Sequence, residues 1–98
     1  MAEFLFLMHS DTREPVIETN WTAYTERLVS IGAMRAGSAI GGGRSFRHSG
    51  QPARLTDHIV GYLKIEAESI DHAVTMLDGN PTYEANGTVE IRELPQSR

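Results

Sequence analysis

The chain has 98 residues, a formal net charge of −4, 40% apolar and 22% charged residues, and no cysteine. These values suit one folded globular domain and disfavour a general nucleic-acid binder. They also exclude disulfides, thiolate catalysis and cysteine-ligated zinc. We expect a single cytoplasmic domain over residues 1–98 that begins with native structure. The opening apolar run is too short for a signal peptide or a membrane span.

The first third of the chain predicts a strand and a helix. Residues 4–8 are a continuous apolar run, which is typical of a strand that is apolar on both faces. In the following helix, Thr19 or Asn20 would cap the start and Gly32 would end it. The residues that recur there at three- and four-residue steps are Trp21, Tyr24, Leu28 and Ile31.

The middle of the chain predicts two strands separated by a hairpin. Residues 34–40 form a weaker strand that is rich in small residues. Residues 44–55 favour a hairpin of two short arms around a turn at residues 48–51. Residues 58–65 are the second strongly apolar strand.

The last third of the chain predicts a second helix and a final strand. Ser69 would cap the helix, and Gly79 and Pro81 would end it. The apolar stripe of this helix consists of Ile70, Ala73, Val74 and Leu77. A turn at residues 86–87 precedes residues 88–94, which alternate between apolar and polar side chains.

This order of elements predicts a ferredoxin-like α+β fold with an extra hairpin and the spatial strand order 4-1-3-2. Both helices lie on one sheet face, because the two crossovers share a hand. Strand one carries large apolar groups on both faces, so a lone domain would expose an apolar sheet face. We expect a homodimer through the sheet faces. The alternative is that the C-terminal tail or the hairpin covers this face.

Several segments resemble the YCII-related family. The strongest matches are residues 61–62, 65–73, 80–81 and 87–92, and weaker ones lie in residues 4–8, 32–38 and 46–56. The resemblance implies a dimeric α+β barrel with a suspected active site of one histidine and one aspartate. Asp57 matches the family aspartate, although residues 58–60 replace the Gly-Pro-Phe that often follows it. The family histidine has no counterpart, because Trp21, Ala23 and Tyr24 occupy its region.

The predicted topology gathers polar groups at one sheet edge, where strands one and two end and strands three and four begin. There, His9 with Asp57 or His58 would form an acid–base pair. Imidazole titrates near neutrality, and a carboxylate can fix its tautomer. The alternative is that His9 is only a polar strand end and that Asp57 caps the turn into strand three.

Four further residues are candidate ligand contacts. Arg44 and Arg54 lie in the most basic stretch and would hold a carboxylate or phosphate group, or would simply protect an exposed hairpin from aggregation. Trp21 and Tyr62 would line a pocket for a planar compound, or would belong to the core. The histidines lack metal-ligand spacing and the glycine run lacks the P-loop ending, so we expect no metal and no cofactor.

These patterns support three hypotheses about function. The first is a small-molecule-binding protein that acts as an acid–base enzyme, of lyase or isomerase type, on a small anionic or aromatic compound. The second is a non-catalytic ligand-binding or regulatory module, linked to transcription by analogy with family members that are encoded near alternative sigma factors. The third is an oligomerisation domain alone. Neither a nucleic-acid nor a membrane partner is expected.

Overall fold

The computed structural model describes residues 1–95, which form a four-stranded sheet and three helices. The strands are β1 (Ala2–His9), β2 (Met34–Ala39), β3 (Ile59–Ala67) and β4 (Val89–Leu94). The helices are α1 (Glu18–Ser30), α2 (Ile70–Thr75) and α3 (Pro81–Glu84). Within these residues, no helix is both long enough and apolar enough to cross a lipid bilayer.

The sheet has the order β2-β3-β1-β4, and every neighbouring pair is antiparallel. This order confirms the predicted arrangement 4-1-3-2 and the ferredoxin-like α+β fold. Phe6 marks the centre of the sheet, since it pairs with Leu63 on β3 and with Ile91 on β4. The ends of β1 and β2 therefore lie at the same edge as the starts of β3 and β4.

The two faces of β1 differ in burial as strand alternation requires. Phe4, Phe6 and Met8 are at most 3% exposed and belong to a core that includes residues of α1 and α2. Leu5 and Leu7, on the opposite face, are only partly buried. The sheet thus has one face covered by helices and one open face.

The start of α1 differs from the prediction and its end confirms it. The helix begins at Glu18 after Ile17, which makes no side-chain capping bond, so neither Thr19 nor Asn20 caps it. At the other end, Gly32 has a φ of 77°. The bonds Gly32 N–H to Val29 O (2.9 Å) and Ala33 N–H to Leu28 O (2.9 Å) form a Schellman motif, which favours glycine.

The second predicted helix is shorter than expected. Its start is confirmed, because the Ser69 hydroxyl accepts a bond from His72 N–H at 3.1 Å. However, α2 ends at Thr75, and Pro81 begins α3 instead of terminating α2. The Asn80 side chain caps α3 by accepting from Tyr83 N–H at 3.1 Å, and proline is favourable at the first helical position.

Only part of the predicted stripe of α2 is buried. Ala73 and Leu77 belong to the core, together with Met76, whereas Ile70 and Val74 are 51% and 49% exposed. Helix α2 ends at Thr75, so the buried residues Met76 and Leu77 lie in the turn after the helix and not in the helix itself.

The segment between β2 and β3 forms no strands, so the expected extra hairpin at residues 44–55 is replaced by an irregular loop. An isolated pair of strands is marginal in water unless an apolar face packs on something. Here Phe46 is 79% exposed and Leu55 is 42% exposed, so neither side chain provides that packing.

Candidate functional site

A cavity of about 700 Å³ lies between α1 and the β2–β3 half of the sheet. We call it the α1 pocket. Its lining comes from the end of β1 and the following segment (Met8, His9, Ser10, Thr12, Val16), from α1 (Glu18, Trp21, Thr25), from β2 (Met34, Gly37, Ser38, Ala39), from β3 (Val60, Gly61, Tyr62, Leu63) and from Thr82.

The α1 wall of this pocket follows from helical spacing. Glu18, Trp21 and Thr25 are separated by three and four positions, so they share one face of the helix. The Trp21 indole meets the Tyr24 ring edge-on, with centroids 6.1 Å apart and an interplanar angle of 73°. Tyr24 is buried and anchors this wall by donating its hydroxyl to Met76 O at 2.6 Å.

The sheet floor of the pocket is made of small residues. Gly37 and Ala39 on β2 are register partners of Leu63 and Gly61 on β3, so all four face α1. A Cβ at Gly37 would lie 2.6 Å from the Leu63 Cδ2 atom, so the strand admits only glycine here without displacement. Small side chains opposite a helix leave space that the helix does not fill, and this space is the pocket.

The rim of the pocket at the sheet edge carries a histidine that is hydrogen-bonded to a carboxylate. His9 Nε2 lies 3.1 Å from Glu90 Oε1, and Arg92 Nη1 donates to the other Glu90 oxygen at 3.1 Å. Arg92 chiefly, and His9 second, hold the pKa of the Glu90 carboxyl below its usual value by hydrogen bonding to the charged form. A carboxylate accepts only, so the bond requires the proton on Nε2 of His9 and leaves Nδ1 as the basic nitrogen of the neutral ring.

His58 lies beside His9. Within residues 1–95, Asp57 makes no hydrogen bond to His9. The two imidazole centroids are 5.1 Å apart at an interplanar angle of 63°. Ser10 N–H donates to His58 O at 2.8 Å, which joins the segment after β1 to the start of β3. Asp57 is exposed in the preceding turn, and the carboxylate that bonds His9 is Glu90.

A second carboxylate fixes the chain beyond His9. Asp11 accepts from Thr88 N–H at 2.8 Å and from the Thr88 hydroxyl at 2.7 Å. The hydroxyl bond first, and the backbone bond second, lower the pKa of Asp11. This clamp ties the polar segment at the pocket rim to the start of β4.

The structure brings three of the predicted site residues to the pocket. His9, Trp21 and Tyr62 belong to its lining, although strand alternation directs the Tyr62 side chain to the open face, opposite Leu7. The His9 imidazole is directed to the same face, because it bonds Glu90, which is the β4 register partner of Leu7. The lining does not include Asp57, His58, Arg44 or Arg54. Both arginines are exposed in the loop after β2.

Several pocket residues are absent from the predicted site, although patterns in the sequence point to them. Glu18 and Thr25 lie at helical spacing from Trp21, which was already a candidate. Gly37, Ala39 and Gly61 are small residues at alternating positions of two paired strands. Glu90 is one of the polar residues in the alternating pattern of β4, but its contact with His9 depends on a strand register that this pattern does not specify.

Within residues 1–95, no group of three or more histidine, aspartate or glutamate side chains is placed to hold a metal ion. Besides the Trp21 indole, the polar residues of the α1 pocket lining are His9, Ser10, Thr12, Glu18, Thr25, Ser38, Tyr62 and Thr82.

No protein-family model matches the chain, and no curated protein matches it. Among solved structures, the chain is similar to 5-chloro-2-hydroxyhydroquinone dehydrochlorinase (TftG) from Burkholderia phenoliruptrix AC1100, solved in complex with 2,5-dihydroxybenzoquinone. The two share 18% sequence identity with a TM-score of 0.58, over 97% of this chain and 95% of that one. At this identity the likeness shows the fold alone, which is the ferredoxin-like α+β fold.

Proposed function

We propose that the protein binds a small hydroxylated aromatic compound in the α1 pocket and carries out acid–base chemistry of lyase or isomerase type on it. The observation that carries this proposal is the pocket itself, which has an indole on its helix wall, glycine and alanine on its strand floor and His9 at its rim. Its volume of about 700 Å³ falls within the range of small-molecule sites.

A planar ring suits both walls of the pocket. The Trp21 indole offers an aromatic surface for offset or edge-to-face contact. The floor at Ala39 and Gly61 lets a flat ligand approach the strands closely. Glu18, Thr25 and Ser10 add hydrogen-bonding groups that can meet the hydroxyls of such a ring.

His9 is the proposed general base. Glu90 holds its Nε2 proton on the open-face side of the sheet edge, so Nδ1 is the nitrogen that takes a proton from a substrate group that reaches past the end of β1. In a lyase step, the proton goes to His9, and the electron pair of the broken C–H or O–H bond forms a new π bond in the substrate. The leaving anion departs with the electron pair of its bond to carbon, so the step requires no external oxidant. The fold similarity to a dehydrochlorinase bound to a dihydroxybenzoquinone supports this substrate class.

We further propose that the chain is a YCII-related protein that forms a homodimer through its open sheet face. Leu5, Leu7 and Tyr62 lie side by side on this face and are only partly buried. The ion pairs Lys64–Glu3 (3.7 Å) and Arg35–Glu66 (2.7 Å) lie at the margin of this apolar strip. An apolar centre with a charged rim is the usual composition of a protein interface.

A non-catalytic ligand-binding or regulatory module is the second candidate function. The observation that favours it is the position of Arg44, Arg54, Asp57 and His58 outside the pocket lining. The pocket therefore offers fewer ionisable groups than the acid–base hypothesis assigned to it.

Ligand binding is tested by calorimetric titration with 2,5-dihydroxybenzoquinone. The Gly61→Val variant adds volume on the pocket floor, where a new Cβ meets nothing closer than 3.4 Å. The matched control is Ala36→Val, an exposed position of β2 outside the pocket lining. We expect Gly61→Val to weaken binding at least tenfold and Ala36→Val to leave it unchanged. Equal binding by both variants contradicts the proposed site.

Catalysis is tested by chloride release from 5-chloro-2-hydroxyhydroquinone. We expect wild-type protein to release chloride and His9→Gln to lose about 10²–10⁴-fold in rate, the usual contribution of a general base. Calorimetry on His9→Gln must show that the ligand still binds. Binding by the wild type without turnover favours the second candidate function.

A further inference from the structure

The loop between β2 and β3 extends away from the domain that carries it. We call residues 40–56 the arm. It is anchored by Ile40 N–H to Val60 O (2.9 Å) and by Ile59 N–H to Thr56 O (3.4 Å). Within the described part of the chain, no hydrogen bond or ion pair joins residues 41–55 to the rest.

The molecule is less compact than a domain of its length usually is. Its radius of gyration is 14.8 Å, and its principal extents are 46, 40 and 19 Å. A compact domain of this length has a radius of gyration of about 13 Å. Loops of this length without secondary structure are uncommon in compact domains and are usually either functional loops or linker segments.

The arm differs in charge from the remainder of the chain. It contains Arg44, Arg47 and Arg54 and no carboxylate. The whole chain has a net charge of −4, so the remainder, without these three positive charges, has −7. The arm is therefore electrostatically complementary to the surface of its own kind of domain.

An aromatic side chain lies within the basic part of the arm. Phe46 is 79% exposed, and the Arg44 guanidinium lies 5.5 Å from the centroid of its ring. A side chain of this size, exposed next to arginines, has the chemistry of an interface anchor. No residue from 40 to 56 lines the α1 pocket of its own chain, so this anchor does not belong to that pocket.

We infer that the arm docks on the acidic surface of a second copy of the chain, with Phe46 as its apolar anchor and its arginines facing the partner's carboxylates. This inference rests on the homodimer proposed above and adds a second contact to it. In a two-fold dimer each copy gives one arm and receives one, so the contact occurs twice.

Cross-linking tests where the arm docks. Because the chain has no cysteine, Ser49→Cys places one benzophenone label on the arm. A ¹⁴N sample and a ¹⁵N sample of the labelled variant are mixed and irradiated. We expect cross-linked products in which one peptide carries ¹⁴N and the other ¹⁵N, because the arm of one copy contacts the other copy. If both peptides of every cross-link carry the same isotope, the arm contacts its own chain, for example as a lid over the α1 pocket, and the inference is wrong. The absence of cross-links also overturns the inference.

Sedimentation equilibrium measures the energetic contribution of the arm. The arm variant is Phe46→Ser with Arg47→Glu. The matched control is Val29→Ser with Arg13→Glu, which changes another exposed apolar residue and another exposed arginine. We expect the arm variant to raise the dimer Kd at least tenfold and the control to change it less than twofold, with circular dichroism confirming that both are folded.

A third variant, Leu7→Lys, separates this inference from the proposed homodimer. If Leu7→Lys abolishes the dimer while the arm variant dimerises like the control, the arm inference is wrong and the sheet-face dimer stands. If wild-type protein stays monomeric at millimolar concentration, the arm inference and the proposed homodimer are both wrong. Ligand binding in the α1 pocket depends on neither of them.

Discussion

The Nε2 atom of His9 lies 3.1 Å from Oε1 of Glu90, although 81 positions separate the two residues in the sequence. The contact follows from the topology, because the end of β1 is the antiparallel neighbour of the start of β4. It gives the histidine a fixed orientation and tautomer at the rim of the α1 pocket, and Arg92 holds the same carboxylate from its other oxygen.

The titration of Glu90 tests this network. Arg92 is the larger cause of the lowered pKa of Glu90 and His9 the smaller. We expect Arg92→Met to raise the pKa of Glu90 towards its ordinary value by more than His9→Phe does, as followed by carboxyl ¹³C shifts in NMR. A larger effect from His9→Phe would contradict the arrangement described here.

The clamp between Asp11 and Thr88 makes stability depend on pH. The pKa of Asp11 is lower in the folded chain than its ordinary value of 3.8, so its stabilising contribution is fully present above that value. It is lost as the pH falls through the lowered pKa. We expect urea unfolding to show Asp11→Asn less stable than wild type at pH 6, with the difference shrinking as the pH falls below 3.8. A constant difference across this range would argue against the clamp.

The hydroxyl of Tyr24 stabilises the α1 wall. It donates to Met76 O in a buried position, and burial, its largest influence, raises its pKa, while the Asn80 amide and the Arg27 charge act in the opposite direction. We expect Tyr24→Phe to lower the free energy of unfolding by about 1–3 kcal/mol, because the carbonyl loses its buried partner. Tyr83→Phe, at a position that is 49% exposed, is the control and should change it by less than about 0.5 kcal/mol.

Gly37 tests the close approach at the pocket floor. A Cβ there would lie 2.6 Å from Leu63 Cδ2 and 2.9 Å from Met34 Cε. We expect Gly37→Ala to destabilise the protein by about 1–3 kcal/mol in chemical denaturation, since neighbouring side chains must move. Gly42→Ala is the matched control, because nothing lies within 4 Å of its Cβ, and it should cause no loss. Equal stability of the two variants would show that the floor is not tightly packed.

The sheet and its order could be predicted because they depend on strong, local patterns. Residues 4–8 and 58–65 are apolar runs of strand length, and Gly32 and Ser69 punctuate the helices with recognised capping chemistry. The hairpin at residues 44–55 could not be judged in the same way. Its turn residues suited a hairpin, but a hairpin also needs an apolar surface to pack on, which only the tertiary structure determines.

The candidate site was less predictable because it depends on register and on empty space. The predicted topology places His9 at the edge where the structure has it. Its bond to Glu90, in place of the predicted Asp57 or His58, depends on which β4 residue lies opposite β1. The small residues of β2 predict only a weak strand. The cavity that they leave under Trp21 depends on the distance between the helix and the sheet, which the sequence does not specify.

The most direct test of the central claim uses the indole N–H of Trp21, the single tryptophan of the chain. A ¹⁵N-labelled sample is titrated with 2,5-dihydroxybenzoquinone. If the α1 pocket is the binding site, the Trp21 indole signal and the amide signals of Gly37 and Gly61 shift together and saturate with one affinity. Saturable shifts confined to the open sheet face or the arm, with the Trp21 signal unmoved, would contradict the claim.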